Sequence, residues 1–212
     1  MKNATKHADD LKGLVKKLLK EQKPDAKPAM EPLKALVRGA MSFDVSDARA
    51  EEAIKAIERE FVDLNELRVA TELEVHELLG TRYPAIEQRV ALITQALNAI
   101  FEKEHTLSLE RMKTVSKKDA RQFLKDLPGM VPFVDAYIML FGLDSPAVPV
   151  DALMANYLIE EEVFDEGTPL EEVQKFIEHH VKGEDSYDVY SAIRRGAGSA
   201  EPGDKKKAKA KA

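Results

Sequence analysis

Residues 127–151 read LPGMVPFVDAYIMLFGLDSPAVPVD, and this stretch decides how the rest of the chain is understood. Leu127-Pro128-Gly129 interrupts a helical pattern, because proline disfavours helix at the residue before it and glycine takes backbone angles that other residues resist. A second helix can begin at Pro132, a residue suited to the first helical turn. Two helices around such a turn form a hairpin whose second helix points its N-terminal amides outward, and that arrangement binds phosphate. The stretch closes on Pro149-Val150-Asp151. Asp151 stands just before an apolar-periodic run through Leu153, Tyr157 and Leu158, where it can cap a helix.

Outward from this stretch the chain is helical throughout, since apolar residues recur at three- and four-residue intervals and nothing alternates like a strand. Leu11, Leu14, Val15, Leu18 and Leu19 form a stripe on a first helix that ends near Lys23-Pro24. Leu33, Leu36, Val37 and Met41 mark a second. After the break SFDVSD at 42–47, Ser46 or Asp47 caps a third with Ala50, Ile54 and Ile57 inward. Thr71 starts a short helix with Leu73, Leu78 and Leu79, stopped by Gly80. A long helix from about Pro84 to His105 turns Ile86, Val90, Ile93, Leu97 and Ile100 inward. Ser116 caps the helix that leads into the hairpin, with Ala120, Phe123 and Leu124. Thr168-Pro169-Leu170-Glu171 reads as a capping box ahead of Val173, Phe176, Ile177 and Val181. Tyr187, Tyr190 and Ile193 belong to a last helix.

Composition bounds the chemistry. The 212 residues, 44% hydrophobic and 33% charged, suit an ordinary globular protein with a real core. There is no cysteine, which excludes disulfides, thiolate zinc sites and a cysteine-held iron-sulfur cluster. No apolar run approaches the roughly 20 residues of a membrane span, and the polar start MKNATKHADD lacks a signal-peptide core, so a cytoplasmic protein without a membrane partner is expected. The net charge of −6 is unevenly spread. Residues 1–28 carry +4 and residues 196–212 carry +3, leaving −13 on the body. An acidic body repels phosphate, so binding to DNA needs a local basic face or the basic tails.

Leu127-Pro128-Gly129, the apolar helix after it, a loop with Gly and Pro, and then Pro149-Val150-Asp151, in that order and without a gap, resemble the endonuclease III-like helix-hairpin-helix DNA glycosylases. By pattern the likeness runs over about 31–195; its specific motifs lie within 127–151. It implies an all-α, two-lobed helix-hairpin-helix DNA glycosylase fold with a cleft between the lobes. Residues 47–151 would form the lobe with the hairpin (about 117–142), and 31–46 with 152–195 the other. Residues 1–30 would be a basic helix and linker, and 196–212 a disordered Lys-rich tail that adds loose DNA contacts or serves only solubility. The resemblance implies double-stranded, damaged DNA as partner, nucleoid association, and base excision. Asp151 is then the catalytic carboxylate, stabilising positive charge on the sugar or orienting a nucleophile; capping alone would explain it equally well. Gly129, Met130 and Val131 would face a phosphate. Lys117, Lys118, Arg121 and Lys125, preceded by Arg111 and Lys113, could contact the DNA backbone or simply be solvated.

The chain also departs from the family. Phe133 occupies the position of the lysine that forms an imine with the sugar, and phenylalanine cannot form one. Some relatives are monofunctional glycosylases that use water and lack this lysine. Val131 replaces the hairpin's second glycine, so either a β-branched residue is strained there or the turn is rebuilt. Pro132 removes an amide donor. Asp44 stands about where relatives fill the gap left by a flipped base. With no cysteines for an iron-sulfur cluster, no cofactor is expected. His179-His180 and the Glu160–Glu162 run form no metal motif, and Tyr137, Tyr157, Tyr187 and Tyr190 fit core packing better than base contact. Two functions remain: a monofunctional DNA N-glycosylase, or a catalytically degenerate relative that binds DNA or protein. The acidic body favours the second.

Overall fold

The computed structural model describes residues 3–199, so the Lys-rich run of residues 200–212 lies outside the described residues. All regular structure among the described residues is helical. In chain order the helices are α1 (Ala4–Glu21), α2 (Pro32–Ser42), α3 (Asp47–Glu60), α4 (Leu64–Val69), α5 (Glu72–Leu79), α6 (Ile86–Glu104), α7 (Lys117–Lys125), α8 (Pro132–Tyr137), α9 (Ala152–Glu160), α10 (Leu170–His180) and α11 (Ser186–Ser199). A π-helical turn, Ile138–Gly142, continues α8. Among the described residues no helix is long and apolar enough to cross a membrane.

Contacts divide the described chain into two units, residues 28–145 and residues 3–27 with 146–199. In the first unit α2 is central. Ala35, Leu36, Ala40 and Met41 are fully buried, and the helix packs on α3, α6, α8 and the π-helical turn. Small residues permit that closeness: a Cβ on Gly39 would meet the Tyr137 side chain at 3.2 Å, and one on Gly142 would stand 2.7 Å from the Pro32 Cα. The expected grouping of 31–46 with 152–195, and of 1–30 as a separate piece, is corrected by the packing: α2 belongs with residues 28–145 because its buried face meets α3, α6 and α8, and α1 belongs with the C-terminal helices through α11. Gly142→Ala is expected to cost about 1–3 kcal/mol, because the obstructing atom is backbone and has little room to yield. Gly13→Ala, on α1 with nothing within 4 Å of the added carbon, is the matched control and should be neutral or stabilising. Urea midpoints of the two variants check this pair.

In the second unit α11 packs on α1 and α9, and α10 on α9. Leu11, Leu14, Met154, Leu158, Val173, Ile177, Val189 and Ile193 fill its interior. His7 is buried there too, its Nδ1 2.7 Å from the Val163 carbonyl and its ring stacked on Phe164.

Four local expectations need correction. The stretch at 64–69 forms a helix that periodicity did not reveal; Asp63 caps it by accepting from the Asn65 and Glu66 amides. On α5 the buried residue is Val75 and Leu73 points outward, 65% exposed, although the Thr71 start is right and is a full capping box with Glu74. Thr168 does not form the expected box, because its hydroxyl donates to the Asp165 carbonyl instead of accepting from a helix amide. Finally, the last helix does not stop at 195 but runs to Ser199. Gly196 allows this, since a Cβ there would lie 2.5 Å from the Tyr157 ring, and Ala197 is buried.

Candidate functional site

The hairpin lies wholly within residues 28–145. Ser116 caps α7 by accepting from the Asp119 amide, and Asp126 follows its last residue as the C-cap. Gly129 has φ +68°, a left-handed conformation that glycine adopts without strain; a Cβ there would meet the Leu92 Cα at 3.4 Å, an ordinary contact, so the backbone angle is what calls for glycine. Val131 sits at φ −108° and ψ 150°, ordinary extended backbone, with Pro132 at the first helical position behind it. Val131 therefore carries no backbone strain in this turn. The Met130 amide is consumed inside the turn by the Leu127 carbonyl at 3.3 Å, whereas no hydrogen bond among the described residues takes up the Gly129 or Val131 amide. Two amides, not a full row, are available to an anion.

The basic residues before the hairpin separate into two groups. Lys117, Lys118 and Lys125 are exposed. Arg121 is turned onto Asp135 of α8, Nε to Oδ1 2.9 Å, and Asp135 is buried, so this pair fastens α7 to α8. Arg111 grips Glu104 through two bonds of 2.5 and 2.7 Å, and these hold the Glu104 carboxyl below its ordinary value. Lys113 pairs with Glu110 at 2.8 Å. Exposed Asp126, at the turn itself, adds a negative charge where phosphate would approach. The basic face is thus three lysines wide.

Phe133 is buried at 3% exposure within a run of aromatic rings. Its ring centroid lies 6.4 Å from Phe43 and 5.8 Å from Tyr137, and Tyr137 stacks on Phe141 at 4.3 Å. Phe133, which stands where the resemblance would place an imine-forming lysine, is a core residue. Phe43 belongs to the loop after α2 that the sequence singled out, with Asp44 exposed at φ 55°. Arg89 holds this loop from beneath. It is fully buried, donating to the carbonyls of Pro84 (2.7 Å), Ala40 (2.6 Å) and Phe43 (2.5 Å), with its guanidinium 3.7 Å from the Phe43 ring centroid.

Asp151, in the other unit, is the N-cap of α9: Oδ1 accepts from the Met154 amide at 2.9 Å. Its Oδ2 accepts from Arg194 Nη1 at 2.5 Å, and both side chains are buried. Capping is therefore established for Asp151. Arg194 and Arg89 were missed in the sequence, although each stood on an apolar stripe, Arg89 between Ile86 and Ile93 and Arg194 between Tyr190 and Ala197. A charged residue at an inward helical position is the signal that would have found them. Tyr137, Tyr157 and Tyr190 are buried as core residues, and Tyr187 is half-buried. Among the described residues no group of three or more His, Cys, Asp or Glu is placed to hold a metal ion. A chain without cysteine does not fit a thiolate-held iron-sulfur cluster.

No family model and no curated protein matches this chain. Among solved structures it is similar to endonuclease III in a trapped covalent intermediate with DNA, at 13% identity over 88% of this chain and 84% of that one, TM-score 0.70. It is similar to the Clostridium acetobutylicum 8-oxoguanine glycosylase/lyase in complex with double-stranded DNA, at 17% identity over 92% and 70%, TM-score 0.70. It is also similar to the H. pylori 3-methyladenine DNA glycosylase bound to 1,N6-ethenoadenine, at 17% identity over 95% and 98%, TM-score 0.64.

Proposed function

We propose that this chain, which has the helix-hairpin-helix DNA glycosylase fold, acts on duplex DNA as a monofunctional N-glycosylase, with Asp151 as the carboxylate that assists base release. Asp151 carries this reading: a carboxylate fixed at the start of α9 by the Met154 amide and by Arg194, in a fold whose solved relatives are DNA glycosylases. Phase by phase the chemistry is simple. The carboxylate stabilises positive charge on the sugar as the glycosidic C–N bond breaks and its electron pair leaves with the base. Water bonds to the sugar carbon, its proton passing to the departing base, and no lysine imine forms, because Phe133 stands at that position inside the core. The exposed Lys117, Lys118 and Lys125 and the Gly129 and Val131 amides would receive phosphates, with Arg121 and Asp135 keeping the hairpin rigid.

A second reading, a duplex-binding protein without catalysis, is favoured by one observation: both Asp151 oxygens are already engaged and the residue is 2% exposed. At an effective dielectric of 20, a bare carboxylate 4 Å from a unit positive charge is worth about 4 kcal/mol, and a guanidinium a few ångström behind it removes roughly half. Base release separates the two. Duplexes with deaminated, oxidised or alkylated bases are incubated with the protein, and abasic sites are then cleaved chemically. The glycosylase is expected to release one class of base, to lose this in Asp151→Asn while still folded by circular dichroism, and never to cleave the strand itself. Salt-sensitive duplex binding without release would leave the second reading, and neither activity would end both.

A further inference from the structure

Within residues 28–145, the chain between the end of α3 and the end of α5 leaves a groove of about 570 Å³. Phe61, Val69 and Leu78 give it an apolar lining, and Glu60, Glu66, Glu74 and Glu77 line it as well; no basic side chain does. Beside it the chain leaves large apolar groups in water: Val62 is 92% exposed, Val69 66% and Leu73 65%. Single exposed apolar residues need no explanation, but three within one short acidic segment that also lines a groove are a recognition surface in composition. From Glu58 to Glu77 there are seven carboxylates against Arg59 and Arg68, and Arg68 is occupied by Asn98 and the Phe101 ring. Glu74 is kept an anion by the backbone N–H and the hydroxyl of Thr71, which hold its carboxyl below the ordinary value.

We infer that this groove docks a basic amphipathic helix of a partner protein, its aliphatic side chains set against Phe61, Val69 and Leu78 and its Lys or Arg residues facing the four glutamates. The charge excludes the other polymer in play, because phosphate is repelled from such a surface. A second copy is a poor occupant: an isologous contact would set the same glutamates against each other. The described residues offer no sheet edge for an extended peptide, which leaves a helix laid in a groove as the mode this architecture supports. Attraction would be steered by charge and weakened by salt, with the apolar contacts setting the lifetime of the complex.

The test is a titration of the full, isotope-labelled chain with a synthetic helical peptide of Leu and Lys, run beside a Leu/Glu and an Ala/Lys peptide of equal length. The Leu/Lys peptide is expected to move the amide resonances of residues 61–79, and the Leu/Glu peptide not to bind. Affinity should fall about tenfold or more in Glu60→Lys/Glu77→Lys, in Val69→Asp, and with the Ala/Lys peptide. Glu60, Val69 and Glu77 are all exposed, so the fold should persist, as amide spectra of the free variants will show. Perturbations elsewhere, equal binding of the Ala/Lys peptide, or indifference to the charge reversal would overturn the inference. So would sedimentation showing a dimer that Val69→Asp dissociates, since a second copy would then own the surface. Duplex binding, measured on the same variants, should be unchanged or stronger, and it reports on the glycosylase reading separately.

Discussion

Arg89→Met is expected to cost about 3–5 kcal/mol of stability, a large share of the roughly 5–15 kcal/mol that holds a domain together. The arginine is fully buried and donates to three carbonyls, those of Ala40, Phe43 and Pro84. Methionine fills a similar volume but leaves these acceptors without their donor in a dry interior, and it gives up the contact with the Phe43 ring. Arg89→Lys should rescue little, because one ammonium cannot reproduce a planar fork aimed at separate carbonyls. Tyr83→Phe provides the scale: the hydroxyl gives one 2.7 Å bond to the Met41 carbonyl, so its loss should cost only about 1 kcal/mol. Thermal melts should rank the variants in that order, with a drop on the order of 10 °C for Arg89→Met. Hydrogen exchange should show the loss first at residues 40–46. A drop within about 1 kcal/mol of zero would mean the carbonyls find water and the arginine does not hold the loop.

The second large effect concerns Asp151 and Arg194. Removing either partner leaves the other buried without its counter-charge, and about 3–5 kcal/mol is the expected loss for Arg194→Met. Asp151→Asn should cost somewhat less, since asparagine still caps α9 and still offers an oxygen. The double variant should be less destabilised than the sum of the singles by about 1–3 kcal/mol, measured by urea unfolding in a double-mutant cycle. Strict additivity would show that the two side chains are not coupled, against a separation of 2.5 Å. The same variants bear on function. If Arg194 restrains the carboxylate, Arg194→Gln raises base release from a low level; if Arg194 orients it, release falls with the protein still folded at the assay temperature.

Much of this fold was legible in the sequence for a physical reason. Helix periodicity and punctuation are local properties, so Ile86, Val90, Ile93, Leu97 and Ile100 marked the inner face of α6, and Ser116 and Thr71 marked helix starts. The hairpin was readable because a proline, a glycine and a second proline constrain the backbone whatever surrounds them. That the Phe133 side chain cannot form an imine follows from its chemistry alone. Local signals failed where a neighbour from elsewhere in the chain settled the outcome. Leu73 lies on the apolar stripe of α5 but Val75 is the residue covered, and Gly196 looked like the start of a tail until Tyr157 proved to pack on it.

By itself, then, the sequence determined the all-helical architecture and the hairpin. Tertiary structure alone decided that Arg121 is given to Asp135, that Arg89 carries the loop after α2, and that Asp151 is both a cap and half of a buried ion pair. The difference is one of range. A helix and its ends are specified by residues within about one turn, whereas the partner of a buried charge is fixed only when segments remote in sequence, here 43 residues apart for Asp151 and Arg194, are packed against each other.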